Sequence, residues 1–296
     1  MREFSGAWPA LITPTTEDGS VNLEILPELT EYLIGKGIGG FYVCGSTGEG
    51  LWMSVVDRQK TLEVVLGQVQ GRLPVIAHVG CLATRDSVAL AAHAQSVGAS
   101  GISSVLPPMR QALDSVTLHY EAVAAAASDL PFMPYIFGGQ INAVTLLTEL
   151  LRRIPNVAGA KYTGSSMFEL WQLTELRDKN WTIFSGMDEQ SIFAAMSGAP
   201  ANIGSTLNVM PGVYREIRTS FTSGDLACAN ELQTRANRLT RVLISYGFAG
   251  ALREAMRMVG FDCGEPRLPS TKLPEAKRES FREAALDAGL ESLAAM

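Results

Sequence analysis

The sequence is sparing with the residues that would point to several common functions. Its four cysteines, Cys44, Cys81, Cys228 and Cys263, are far apart and form no CxxC pair. Neither a disulfide framework nor a thiolate zinc site is therefore expected, and reduced thiols suit a cytoplasmic protein. The three histidines, His78, His93 and His119, show no metal-ligand spacing and read as structural, so no metal is expected. Charged residues make up only 18 % of the chain and sum to −6. That balance tells against nucleic acid as a partner, since nucleic acids demand basic faces. It leaves anionic small molecules open, because a few local donors can bind a carboxylate inside an acidic protein. No apolar run reaches the roughly 18 residues of a membrane span, and the opening MREFSGAWPA has no apolar core of a signal peptide. No GxGxxG follows the first apolar run, which weakens a dinucleotide-cofactor reading.

What is present is an alternation. Hydrophobic residues reach 47 % over 296 positions, enough for a large core and about the size of one α/β barrel with an extension. Short apolar runs read as strands at Ala7–Thr13, Gly40–Gly45, Pro74–Gly80, Gly101–Leu106, Phe132–Phe137, Ala158–Thr163, Thr182–Met187 and Ala201–Ser205. Continuous apolar runs of this kind suit parallel strands buried on both faces. Between them helical periodicity covers Asn22–Lys36, Ser54–Val69, Thr84–Val97, Ser115–Ser128, Ala143–Arg153, Ser166–Arg177 and Glu189–Met196. Ser54 followed by Asp57 resembles a helix N-cap.

Strand and helix repeated eight times predict an α/β fold, a (β/α)8 TIM barrel. An open doubly wound sheet shares the alternation and is the competing architecture. From about Pro211 the pattern is helical only, at Pro211–Thr222, Asp225–Tyr246, Ala249–Val259 and Glu275–Leu293. Residues 1–222 are read as the barrel and 223–296 as a C-terminal helical extension, which packs on the barrel or serves an oligomer interface.

One lysine stands apart. There are six lysines against eighteen arginines, and five of the six lie in polar segments. Lys161 lies in the apolar strand Val157-Ala158-Gly159-Ala160-Lys161-Tyr162-Thr163 and shares a face with Gly159 and Thr163. In an apolar cavity desolvation disfavours an ammonium, and a neutral amine can attack a ketone. A lysine that snorkels or pairs at a strand end is the plainer reading of this residue alone. A second feature follows the second strand, Gly45-Ser46-Thr47-Gly48-Glu49-Gly50. Adjacent hydroxyls with glycine-freed amides can hold a carboxylate, although an ordinary turn before a helix has the same composition.

Taken together, Gly45-Ser46-Thr47-Gly48-Glu49, Tyr135, Gly159-Ala160-Lys161-Tyr162-Thr163 and Gly204-Ser205-Thr206 make the chain resemble the dihydrodipicolinate synthase and N-acetylneuraminate lyase superfamily of pyruvate-dependent aldolases. The likeness spans essentially the whole chain, including Asp262-Cys263-Gly264-Glu265-Pro266-Arg267. It implies a class I carbon–carbon lyase with Lys161 as the Schiff-base residue and Tyr135 as the phenol that moves protons. Ser46 and Thr47 would hold the pyruvate carboxylate, with Ser46 also linking Tyr135 to a proton relay. It implies no cofactor, small-molecule partners (pyruvate or another 2-keto acid, and an aldehyde), and a homotetramer.

Within the superfamily, the synthase branch places an arginine five residues after the tyrosine, where this chain has Gln140. A neutral amide lacks the charged fork that binds a carboxylate. Gly186-Met187-Asp188-Glu189 with Gly204-Ser205-Thr206 is similar to the sialic-acid lyase pattern. Gly186, Asp188, Glu189 and Ser205, with Thr163 nearby, would then bind a polyol tail, carboxylates suiting hydroxyl donors. The alternative for Asp188 and Glu189 is a preference for the following helix N-terminus. Two positions depart from the family pattern: Met109 stands where a relay tyrosine from a neighbouring subunit is common, and Ile136 where asparagine is common. The expected activity is cleavage or formation of a 2-keto-3-deoxy sugar acid, N-acetylneuraminate above others. A 2-keto-3-deoxygluconate aldolase, a dihydrodipicolinate synthase, or a keto-acid-binding barrel without turnover are the alternatives.

Overall fold

All eight apolar runs form strands, Phe132–Phe137 with the expected bounds and the other seven shorter than their runs. The computed structural model describes residues 4–106, 112–137, 141–177 and 179–296. The strands are β1 (Gly6–Pro9), β2 (Phe41–Val43), β3 (Val75–His78), β4 (Gly101–Val105), β5 (Phe132–Phe137), β6 (Gly159–Thr163), β7 (Thr182–Ser185) and β8 (Ala201–Gly204). Every pairing is parallel, in the order β1-β8-β7-β6-β5-β4-β3-β2. A bridge from Ala10 to Tyr42 brings the two ends together, with Leu11 N–H donating to the Tyr42 carbonyl at 2.9 Å. The sheet therefore closes into a (β/α)8 barrel, and the open doubly wound alternative is set aside.

Side-chain alternation separates two cores. Trp8, Tyr42, Ile76, Met133, Phe184 and Ile203 pack together in one cluster inside the barrel. Their sequence neighbours, such as Ala7, Phe41, Val75 and Ile183, join the larger cluster beneath the helices. Both faces of each strand are thus removed from water, which is why the runs show little polar alternation.

The helices that cover the barrel are α1 (Leu26–Gly35), α2 (Val55–Val69), α3 (Thr84–Ser96), α4 (Leu113–Ala125), α5 (Ala143–Arg153), α6 (Met167–Thr174), α7 (Ser191–Met196) and α8 (Pro211–Thr222). The first starts at Leu26 and not at Asn22, because Pro27 sits in its first turn, where a missing N–H has no helical partner to lose. The Ser54 cap forms as expected, its Oγ accepting from Asp57 N–H at 3.1 Å.

Four further helices follow: α9 (Leu226–Ser245), α10 (Phe248–Met258), α11 (Glu275–Asp287) and α12 (Leu290–Ala295). The single helix expected over Glu275–Leu293 is two, since Gly289 takes φ of +90° between them. The apolar periodicity continues across this break, so the pattern alone hides it. Lys36 holds the chain's end, donating from Nζ to the carbonyls of Ala294 at 2.7 Å and Ala295 at 3.1 Å. A cation at the C-terminal end of α12 also meets the favourable end of the helix dipole. Among the described residues no helix is long and apolar enough to cross a membrane.

Candidate active site

Strand register sets the first relation. In the β5–β6 ladder Tyr135 lies opposite Lys161, and Phe137 opposite Thr163. Lys161 is only 4 % exposed, so it does not snorkel. Its Nζ lies 4.1 Å from the centre of the Tyr135 ring and 4.8 Å from that of Tyr42. Thr163 Oγ1 donates to the Tyr135 hydroxyl at 3.5 Å, a long bond. Room for this group depends on Gly186. A Cβ there would fall 1.9 Å from Thr163 Oγ1 and 3.1 Å from Lys161 Cε.

The loop after β2 is wound tightly. Glu49 N–H donates to the Ser46 carbonyl and Gly50 N–H to the Gly45 carbonyl, each at 3.1 Å. Cys44 and Glu49 adopt positive φ, 59° and 57°. A Cβ at Gly50 would sit 1.9 Å from the Cys44 carbonyl oxygen, so only glycine fits. Ser46 is exposed at the mouth of the barrel. Thr47 Oγ1 is 2.6 Å from Ser205 Oγ. Ser205, grouped in the sequence with the residues expected to bind a polyol, thus stands against the loop after β2. Among the described residues no hydrogen bond joins Ser46 to Tyr135. A cavity of about 200 Å³ opens beside this loop, lined by Ser46, Thr47, Trp52, Ser205 and Phe248 among others.

The loop is held by residues more than 200 positions away, a contact with no local sequence signal. Glu49, 4 % exposed, receives Arg253 Nη2 at 2.9 Å and Arg267 Nη1 at 3.0 Å, and its other oxygen accepts Arg267 N–H at 3.0 Å. Arg253 of α10 also donates to the carbonyls of Thr13, at 3.2 Å, and Cys263. The C-terminal extension therefore grips the loop through one buried carboxylate. His78 supports it from below. Val105 N–H donates to His78 Nε2 at 3.1 Å, which leaves Nδ1–H to donate to the Cys44 carbonyl at 3.0 Å. Burial first, then the Arg58 guanidinium, holds this imidazole well below its usual pKa, as suits a structural role.

Asp188 lies in a short 3-10 turn, Asp188–Gln190, ahead of α7. Two bonds from α9 fix the turn: Gln233 Nε2 to the Asp188 carbonyl and Asn237 Nδ2 to the Glu189 carbonyl, both 3.1 Å. The carboxylate does not cap α7. Its Oδ2 accepts from Thr206 N–H at 2.8 Å and Thr206 Oγ1 at 2.7 Å, while Oδ1 is buried without a partner among the described residues. A Cβ at Gly204 would lie 1.3 Å from Oδ1, so that glycine makes the room the carboxylate occupies. Burial pushes the Asp188 carboxyl up to about 6, against the lowering effect of the Thr206 bonds. A buried carboxylate with one free oxygen is suited to accept a hydroxyl. Glu189 is half-buried beside it. Met109 and Gln140 lie outside the described residues.

Comparison with known proteins follows the same lines. Residues 3–288 match the model of the Dihydrodipicolinate synthetase family. The N-acetylneuraminate lyase of Rhizobium meliloti is 34 % identical over 286 residues, covering 95 % of this chain and 94 % of that one. The solved N-acetylneuraminate lyase of Proteus mirabilis is similar with a TM-score of 0.92 at 29 % identity, over 98 % of this chain and 100 % of that one. A catalytic lysine mutant of Ruminococcus gnavus sialic acid aldolase is similar with a TM-score of 0.92 at 29 % identity, over 97 % and 98 % of the two chains.

Proposed function

This chain belongs to the dihydrodipicolinate synthetase family, and from that premise we propose that it is a class I lyase that cleaves N-acetylneuraminate, or a closely similar 2-keto-3-deoxy sugar acid, to pyruvate and an aldehyde. The observation that carries the reading is the buried Lys161 amine, 4.1 Å from the Tyr135 ring and directly across the β5–β6 ladder from it. The lyase names of the similar proteins support it, as does the lysine named catalytic in the Ruminococcus gnavus aldolase. A synthase role is not favoured, since Gln140 stands where that branch uses an arginine.

Each residue then has a task. Ser46 and Thr47, with the loop's amides, hold the carboxylate and so aim the neighbouring ketone at Lys161. The amine adds to the ketone, water leaves, and a protonated imine remains. That cation draws in the electron pair of the C3–C4 bond, while the Tyr135 oxygen, assisted by Thr163, takes the proton from the C4 hydroxyl as its own phenolic proton passes to water. The aldehyde departs, the enamine is protonated at C3, and hydrolysis returns the amine with pyruvate. Run backwards, the same steps form the sugar acid. Asp188 and Glu189 accept hydroxyls of the polyol tail, with Gly186 leaving room and Ser205 bracing Thr47.

Residues 1–222 serve as the catalytic barrel, and 223–296 as the extension that steadies the carboxylate loop. A homotetramer fits this reading. Phe168 and Trp171, stacked at 5.7 Å, with Phe193 and Met196, form an exposed apolar face on α6 and α7 that further copies would cover. Four free cysteines suit the cytoplasm.

Borohydride reduction in the presence of pyruvate tests the chemistry. A mass adduct mapped to Lys161, together with pyruvate release from N-acetylneuraminate, is expected. Both should disappear in Lys161→Ala, and unchanged turnover in that variant defeats the reading.

A further inference from the structure

Lys161 is asked to carry positive charge where no anion sits beside it. None of the ion pairs among the described residues involves this lysine, and Asp188 acts on it only as a more distant charge. What faces the nitrogen is aromatic. Besides Tyr135, which already has a task, the Tyr42 ring lies 4.8 Å from Nζ. The two rings stand at 90°, with centres 6.3 Å apart. Tyr42 is fully buried, and its hydroxyl is 2.9 Å from Ser103 Oγ, which fixes the ring's plane. The same ring supports the carboxylate loop. A Cβ at Gly45 would lie 2.5 Å from Tyr42 Cε1, so the loop's first glycine rests on the ring edge.

We infer that Tyr42 is a positioning residue whose ring face stabilises the cationic Lys161 imine and sets its distance from the Gly45-Ser46-Thr47 loop. The inference rests on the lyase reading above. In the step concerned, the amine lone pair forms the C–N bond and the carbonyl π pair moves to oxygen. With one proton taken up, that oxygen leaves as water. Amine, ketone and proton thus become iminium and water, and the new charge resides on a nitrogen held over two electron-rich faces. The negative face of an aromatic ring attracts such a cation, more strongly when water is excluded. Tyr42 contributes its ring and not its hydroxyl to this effect. The hydroxyl only orients the ring through Ser103.

The test places Tyr, Phe, Leu and a series of increasingly fluorinated phenylalanines at position 42. Fluorine drains charge from the ring face with little change in shape, so the series does not depend on whether Tyr42→Leu folds. The readout is the pyruvate concentration needed for half-maximal borohydride trapping on Lys161, followed by intact mass. Tyr42→Phe should stay within about threefold of the parent, and the most fluorinated ring should need roughly tenfold more pyruvate, with a graded rise between them. A flat series, in a parent that does form the Lys161 adduct, overturns the inference and leaves the lyase reading standing. A parent that forms no adduct overturns the lyase reading and this inference with it.

Discussion

Replacing Asp188 with asparagine should weaken the substrate's hold while strengthening the fold. The carboxyl is 5 % exposed and pushed up to about 6 by burial. The native state therefore holds its proton more tightly than the unfolded chain does, whose value is near 3.8. Below that lower value the group costs nothing. Between the two, rising pH removes stability, and above about 6 the penalty is complete. A shift of this size corresponds to at most roughly 3 kcal/mol. Asp188→Asn escapes that penalty and keeps an oxygen for Thr206, so at pH 7.5 it should melt a few degrees higher. It also loses an ionised acceptor at the Oδ1 position, which has no partner among the described residues. Hydrogen bonds to a charged group contribute about 1.5–3 kcal/mol, so KM for the sugar acid should rise roughly 10- to 100-fold. In the parent protein KM should climb as pH falls through about 6, and in the variant that climb should be gone. Pyruvate carries no polyol tail, so trapping on Lys161 should be unaffected. Steady-state kinetics from pH 5 to 8, with thermal melts at the same pH values, supply all of these readings. A variant whose KM stays within twofold of the parent, or keeps the parent's pH dependence, refutes the role given to Asp188.

Two other substitutions probe the remaining parts of the site. Tyr135→Phe keeps the ring near Nζ and removes the acid–base group, so kcat should fall about 10²- to 10⁴-fold while borohydride still traps pyruvate on Lys161. Equal loss of both, measured by mass and by turnover, would mean that the hydroxyl acts before the imine forms. Glu49→Gln leaves Arg253 and Arg267 without their buried anion and should cost about 3 kcal/mol of stability in urea melts. It should also raise KM for substrates bearing the carboxylate, and an unchanged melt would discard the clamp.

Much of this architecture could be read locally. Strand after strand announced itself because both faces are buried, and Ala143–Arg153 and Pro211–Thr222 have the bounds the periodicity predicted. Lys161 was conspicuous as a charge in an apolar strand. Other features were not, for two physical reasons. Where a glycine breaks a helix without interrupting its apolar face, as Gly289 does, periodicity carries straight across. Contacts between distant parts of the chain leave no local trace. The Glu49 pairs with Arg253 and Arg267 span 204 and 218 positions. The approach of Tyr42 to Lys161 depends on barrel closure, and strand alternation says only which face each occupies. Ser205 likewise needed coordinates to be seen against Thr47.

The grip of Arg253 and Arg267 on Glu49 also sets an order of events during synthesis. Translation proceeds at about 5–20 residues per second, so after Glu49 is made roughly 10 to 40 s pass before Arg267 follows it off the ribosome. In the last part of that interval, once residues 1–222 are made, the nascent barrel holds the proposed Schiff-base lysine but lacks the anchor for the turn after β2. The grip therefore waits on α10 and the loop after it, and a chain cut short ahead of them is left a barrel with an unanchored mouth.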